Sequence, residues 1–165
     1  MYVYDCNVIM TTAINTRSDK EMMHAFTKLT TYLKTRGINP GFHFMDNESS
    51  EALKMAMATM DINYQLVPPS QHRANNAERA IHTFKNHVTS GLCVRLCSVD
   101  ENLHLQLWDI LLHKSTISLN LIQKSRLHPH LSAYTHIFGY FIYNYTQLAP
   151  LGERVGIHNR QKDRK

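Results

Sequence analysis

Short segments rich in β-branched and aromatic residues alternate with segments whose apolar residues recur at helical spacing. Over residues 1–67 this alternation predicts the order strand, strand, helix, strand, helix, strand. Such an order is typical of an α/β domain, in which helices cover a sheet. The predicted elements are a hairpin of strands at 2–4 and 8–14, a helix from Ser18 to about Gly37, a strand at 42–45, a helix capped by Ser49 or Ser50, and a strand at 64–67.

The rest of the chain has mainly helical patterns. A helix from about Asn76 to Leu92 is predicted to turn Ala77, Ile81, Phe84 and Val88 inward and to place Glu78 on a different face. A leucine-rich helix with the only tryptophan, Trp108, is predicted from Asp100 to about Lys124, and a short helix near 132–138. We expect the aromatic residues that follow it to pack in the core, with base stacking as the alternative; they are Tyr140, Phe141, Tyr143 and Tyr145.

Length and charge limit the class of protein further. A chain of 165 residues fits one domain, and 43% hydrophobic with 19% charged residues argues against an intrinsically disordered chain. The net charge is +5, and residues 153–165 contain five basic and two acidic side chains. We therefore predict one domain at 1–152 and a basic tail at 153–165. Such a tail suits an anionic partner such as nucleic acid, or is simply a solvated segment.

Several classes of site and location are disfavoured by the sequence. No apolar run approaches the ~20 residues that span a bilayer, so we expect an intracellular protein without membrane contact. Cys6, Cys93 and Cys97 form no paired spacing, which predicts free thiols rather than disulfides. The eleven histidines show no Cys/His zinc spacing, and nothing indicates a small-molecule cofactor.

Asp46 and Glu78 are the candidate functional carboxylates. Asp46 comes directly after a predicted strand, and Glu78 lies in the first turn of the helix that follows the next strand. Carboxylates in these positions can hold Mg²⁺ through oxygen ligands at the carboxyl edge of a sheet. They can equally cap a turn and complement a helix dipole. On the residues alone, both interpretations stay open.

The segment 66–85 resembles the third acidic motif of integrase catalytic cores of copia-type LTR retrotransposons. In that family a strand, a proline-containing loop and a helix N-terminus present the glutamate of an Asp-Asp-Glu triad. Met45-Asp46-Asn47-Glu48 resembles the strand end with the second aspartate, and 31 residues separate Asp46 from Glu78. Trp108, the stretch 126–134 and Phe138-Gly139 resemble the part that closes the same core. The likeness covers roughly residues 1–152.

The resemblance implies a ribonuclease H-like fold, with a mixed sheet flanked by helices, and descent from a DNA strand-transfer enzyme dependent on Mg²⁺ or Mn²⁺. By this resemblance, Asp46 and Glu78 correspond to catalytic residues and metal ligands of the family. The family's first aspartate lies on a central strand that precedes the hairpin, and that strand has no counterpart in these residues. We therefore expect weak or absent metal binding and no strand transfer by the chain alone. We also expect the Met1–Asp5 strand to pair with Phe42–Met45, or a partner to supply the missing strand.

Basic side chains near Glu78 indicate contact with DNA phosphates, although an ordinary solvated helix face is equally compatible with them. They are His72, Arg73, Arg79, His82 and Lys85. The resemblance implies DNA as the partner, a homo-oligomer and a nuclear location for a functional product. The alternative functions are a non-catalytic nucleic-acid-binding or multimerising remnant, and a decayed gene product.

Overall fold

The computed structural model describes residues 1–45, 49–67, 76–96, 108–146 and 148, and the side chains of these residues except those of 91–96 and 108–110. In these described residues, four strands and five helices follow one another in an α/β arrangement, as the sequence predicts. Their bounds are β1 Tyr2–Val3, β2 Val8–Ile9, α1 Asp19–Thr35, β3 Phe42–Met45, α2 Glu51–Thr59, β4 Asn63–Leu66, α3 Asn76–Leu96, α4 Trp108–Ile122 and α5 Ala133–Phe138.

The helix ends follow from local sequence chemistry. Ser18, Ser50 and Ser132 are N-caps, and each hydroxyl accepts a hydrogen bond from the backbone N–H three residues later. This confirms the predicted cap of α1 and selects Ser50 over Ser49 for α2. At the end of α1, Gly37 has a φ of +78° and its N–H donates to the Lys34 carbonyl at 3.0 Å. Glycine adopts this left-handed conformation without steric cost, so it terminates the helix.

The strands form two separate pairs in the described part of the chain, rather than one mixed sheet. β1 and β2 are antiparallel, with Tyr2 opposite Ile9, and β3 and β4 are parallel, with Phe42 opposite Asn63. The expected pairing of Met1–Asp5 with Phe42–Met45 is wrong, because β1 and β3 belong to different two-stranded sheets. The predicted second strand is also shorter than expected, since residues 11–14 do not continue β2.

Two small apolar clusters form the described core, and Met1 packs against both. The first joins the hairpin to α1 and α5 through Cys6, Val8, Met10, Leu33, Ala133 and Ile137. The second joins α1, β3 and α2 through Phe26, Met45, Met57 and Ile62. An open cleft of about 420 Å³ lies between the hairpin, α1 and β3, lined by Met1, Met10, Phe26, His43 and Leu53 among others. Burial in this region lowers the pKa of His43, with a smaller effect from the nearby N-terminal amine.

A buried asparagine on α4 takes the place of a strand beside β2. Met1 and Met10 exchange two backbone hydrogen bonds, so by the antiparallel alternation the N–H and C=O of Ile9 point away from β1. The Asn120 side chain accepts from Ile9 N–H at 2.9 Å and donates to Ile9 C=O at 2.8 Å. Asn120 is 1% exposed. It therefore satisfies the outer edge of β2 and anchors the hairpin on α4.

The segment after α4 forms hydrogen bonds with the turn that joins β1 to β2. The backbone N–H groups of Arg126 and Leu127 both donate to the Asp5 carbonyl at 3.2 Å. The Arg126 guanidinium donates to the Tyr2 hydroxyl at 2.9 Å and lies 4.2 Å from the centroid of the Tyr4 ring. Asn7, whose φ is +55°, donates from its side chain to the Lys124 carbonyl at 2.9 Å. The two ends of the described chain are thus held together by polar contacts as well as by the first apolar cluster.

Candidate nucleic-acid interface

Glu78 lies in the first turn of α3 and is partly buried. An acidic side chain there is stabilised by the partial positive charge of the helix N-terminus. The neighbouring Arg79 donates from its guanidinium to the Asn76 side-chain oxygen, which is one helical turn earlier. This contact orders the start of the helix on which Glu78 stands. The structure therefore places Glu78 where the sequence predicts it, at the N-terminal end of a helix.

The predicted basic residues of α3 are exposed. Arg79, His82 and Lys85 all have exposed side chains. Glu78, His82 and Lys85 share one face, because three and four residues separate them along the helix. His82 Nδ1 and Asn86 Nδ2 are 3.3 Å apart, which holds the imidazole along this face. The face presents an acidic group at its start and basic groups beyond it.

The opposite side of α3 packs on α4, as expected for an amphipathic helix. His87 Nε2 and Ser118 Oγ lie 2.8 Å apart and join the two helices. Phe84 and Val88 are partly buried on this side. Ile81, which the sequence analysis placed on the inward face, is 52% exposed, so that assignment is wrong. His87 lies three residues from Phe84 and occupies the inward position instead, because its ring reaches a hydroxyl on the facing helix.

Three of the predicted site residues, Asp46, His72 and Arg73, lie outside the described residues. The structure does describe Met45, the residue directly before Asp46 in the sequence. Met45, the last residue of β3, is 5% exposed within the second apolar cluster. β3 and β4 are parallel, so both strands end at the same edge of the pair. Along the sequence, Asp46 comes directly after β3, and Glu78 follows β4 at the start of α3.

The donor chemistry of Asp46 and Glu78 suits Mg²⁺, which prefers carboxylate oxygen ligands. Among the residues described by the structure, no group of three or more His, Cys, Asp and Glu side chains is arranged to hold a metal ion. Shared metal binding by Asp46 and Glu78 stays a prediction, since one member of the pair is outside the described ranges.

A thiol and an imidazole meet in the first apolar cluster, which the sequence analysis did not anticipate. Cys6 Sγ lies 3.9 Å from His136 Nε2, and His136 Nδ1 lies 2.7 Å from Ser125 Oγ. Burial lowers the pKa of His136, with a further contribution from His128, and burial followed by the charge of Asp5 raises the pKa of Cys6. A buried thiol with a raised pKa stays protonated and is a poor nucleophile. This cluster is therefore part of the packing, and Cys6 is a free thiol as predicted.

The aromatic residues after α5 are on the surface, which corrects the prediction that they pack in the core. Tyr140 and Tyr145 are each 87% exposed, and Tyr143 is 62% exposed. Only Phe141 is partly buried, against the ring of Tyr134. The composition of this segment could not separate the two outcomes, because aromatic residues occur both in cores and at recognition surfaces.

Neither a scan against models of known protein families nor a search of curated proteins finds a significant match. The helices that the structure describes include none that is long and apolar enough to cross a lipid bilayer.

Proposed function

We propose that this chain is an integrase-core module of the copia retrotransposon type, with a ribonuclease H-like fold, that contacts DNA through α3. Asp46 and Glu78 are its metal ligands in this proposal, and His72, Arg73, Arg79, His82 and Lys85 are its phosphate-binding residues. The observation that carries the proposal is the surface of α3. There Glu78 stands in the first turn and the basic residues that follow it are exposed.

The order and pairing of the elements support the fold assignment. β1, β2, α1, β3, α2, β4 and α3 follow one another in the order expected for the family without its first strand. β3 and β4 are neighbours and parallel, as that family requires of the strands before the second and third acidic residues. The strands that precede the two acidic motifs therefore end at one edge of their pair, and active sites of α/β proteins assemble at such edges.

The first strand of the family would lie between the two strand pairs, and the free edges of β1 and β3 support this position for it. Asn120 covers the outer edge of β2, so the edge of the hairpin without a strand partner in the described part of the chain is that of β1. Gly41 and Met45 accept from the backbone of β4, so by alternation the N–H and C=O groups of Phe42 and Phe44 point to the other edge of β3. The cleft lined by Met1, Met10 and His43 lies between the two pairs. We propose that a partner supplies a strand at these edges, where unpaired backbone groups favour β-addition.

The role of the carboxylates in this proposal is to bind a divalent cation. Bound by Asp46 and Glu78, Mg²⁺ would supply positive charge to the attacking and leaving oxygens of phosphoryl transfer. Of the residues in this chain, only these two match the family's acidic positions. With the two carboxylates of Asp46 and Glu78 to hold the cation, we expect weak binding of Mg²⁺ or Mn²⁺.

DNA binding through α3 is tested by removing two of its exposed cations. We expect the double variant Arg79→Ala/Lys85→Ala to bind a short labelled DNA duplex several-fold more weakly at low salt. Each lost phosphate contact reduces the slope of log affinity against log salt by about one, so the slope falls by about two. Fluorescence anisotropy over a range of salt concentrations measures both quantities.

The matched control is Arg17→Ala/Lys20→Ala, which removes the same charge from exposed residues around the start of α1. It is expected to keep most of the affinity and nearly the wild-type slope. Equal losses in the two variants would assign binding to net charge alone and would contradict an interface on α3.

A second candidate is a non-catalytic nucleic-acid-binding protein that uses the same helix. It is favoured by the exposure of Arg79, His82 and Lys85. The two candidate functions differ in whether the carboxylates of Asp46 and Glu78 contribute to DNA binding through a metal ion. DNA affinity that is independent of Mg²⁺ and unchanged in Asp46→Asn/Glu78→Gln favours the second.

A further inference from the structure

A row of aromatic rings runs over the surface from α1 to the segment after α5. Its members, here called the aromatic row, are Tyr32, Phe138, Tyr134, Phe141 and Tyr143. Successive ring centroids are 5.9, 4.7, 5.3 and 4.8 Å apart, within the range of favourable aromatic contacts. The row joins elements far apart in the sequence, so it is built by the tertiary structure.

The end of the row near residue 143 is open to solvent. Tyr143 is exposed, and it is flanked by Tyr140 and Tyr145, whose rings are almost entirely exposed. The backbone N–H groups of Tyr145 and Thr146 both donate to the Ile142 carbonyl, which forms a turn. Phe141 anchors this turn through its edge-to-face contact with Tyr134 at an interplanar angle of 86°. Tyr143 and Tyr145 are thereby presented on an anchored turn, with Tyr140 just before it, although burial would stabilise each ring substantially.

The other end of the row carries positive charge. The Arg36 guanidinium lies 5.3 Å from the centroid of the Tyr32 ring and donates to the Tyr32 hydroxyl at 3.2 Å. Lys28 lies one turn before Tyr32, on the same face of α1. The two segments that build this surface, 28–40 and 126–146, contain no acidic residue. Lys28 and Arg36 are their exposed cations beside the row, since Lys34 donates to the Met60 carbonyl and Arg126 to the Tyr2 hydroxyl. The surface therefore combines aromatic faces with an excess of positive charge.

We propose that this surface binds single-stranded nucleic acid, with bases stacked on Tyr140, Tyr143 and Tyr145 and phosphates near Lys28 and Arg36. Exposed aromatic rings beside cations are the features that single-stranded nucleic-acid sites share, because every base has a π-face and every linkage has a negative charge. A protein partner would also cover exposed tyrosines, but the all-positive charge of the two segments favours a polyanion. The surface is distinct from α3, and the proposal does not depend on the integrase assignment.

The experiment compares two triple variants by fluorescence anisotropy with labelled oligothymidylate and oligouridylate. Serine at 140, 143 and 145 removes the rings, and we expect it to weaken binding at least about tenfold. Phenylalanine at the same positions keeps the ring faces and is expected to bind within about twofold of the wild type. In Lys28→Ala/Arg36→Ala the slope of log affinity against log salt is expected to fall by about 0.7 for each lost phosphate contact.

The outcomes separate this proposal from the one on α3. Arg79→Ala/Lys85→Ala should leave the affinity for oligothymidylate within about twofold of the wild type, while it weakens duplex binding. The proposal is overturned if the folded wild type binds neither oligonucleotide, if serine at the three positions leaves the affinity unchanged, or if phenylalanine loses as much as serine. Self-association that the serine variant abolishes, without oligonucleotide binding, would assign the surface to a protein contact instead.

Discussion

Replacement of Asn120 by leucine is expected to lower the free energy of unfolding by roughly 2–5 kcal/mol, because two backbone groups lose their only described partner. Asn120 is buried on α4, and its amide bonds to both the N–H and the C=O of Ile9. Leucine is similar in size, so the change removes hydrogen bonds rather than volume. Ile9 is itself 5% exposed, so water cannot easily replace the lost amide.

Urea unfolding followed by circular dichroism measures this effect. The matched control is Asn15→Leu, which places the same substitution at an exposed asparagine and is expected to change stability by less than about 0.5 kcal/mol. A loss at Asn120 no larger than that at Asn15 would show that the hairpin does not depend on the side chain of α4.

Truncation of Leu33 to alanine is expected to cost roughly 2–5 kcal/mol of folding free energy. Leu33 is 1% exposed in the first apolar cluster, where α1 meets the hairpin and α5. Removal of its terminal carbons leaves a cavity between three elements that cannot all move inward together. The loss therefore includes both the transfer free energy of the side chain and the cost of the cavity.

Leu127→Ala is the matched control for this variant, since Leu127 is 59% exposed and the same atoms are removed. We expect a change below about 0.5 kcal/mol there. Comparable destabilisation by the two leucine substitutions would contradict the described packing of α1 on the hairpin.

The local signals in the sequence predicted most of the described helices and one strand closely. The caps of α1 and α2 were predictable, the second as one of two adjacent serines, because a serine side chain that accepts from the backbone N–H three residues later stabilises the start of a helix. β3 was predictable at 42–45 from its aromatic residues and the turn chemistry on either side. The start of α3 at Asn76, and with it the position of Glu78, also followed from local pattern.

Contacts between residues far apart in the sequence were harder to predict from local patterns. The edge of β2 is covered by Asn120, a residue 111 positions away, and no local pattern marks a polar residue in a leucine-rich helix as a strand partner. The inward position of His87 on α3 likewise depends on Ser118 of a different helix. The separation of the strands into two pairs depends on which edges meet in space, and the expected pairing of β1 with β3 was wrong for that reason.

Some features of the candidate site could likewise be predicted from local sequence, and others could not. The spacing places Glu78, His82 and Lys85 on one face of α3, and the structure shows that His82, Lys85 and the neighbouring Arg79 are exposed. The exposure of Tyr140, Tyr143 and Tyr145 could not be predicted, because hydrophobicity favours burial and only the fold decides whether a core is within reach.

The most direct test of the proposed function is a titration of the wild-type chain with Mn²⁺ by isothermal calorimetry, repeated on Asp46→Asn/Glu78→Gln. Asp19→Asn/Glu21→Gln, on the first turn of α1, serves as the control with the same change of charge. We predict weak binding in the wild type and in the control, and none in the Asp46/Glu78 variant, with circular dichroism showing that all three are folded. Equal heats in all three proteins, or no binding by the folded wild type, would contradict a metal site formed by Asp46 and Glu78.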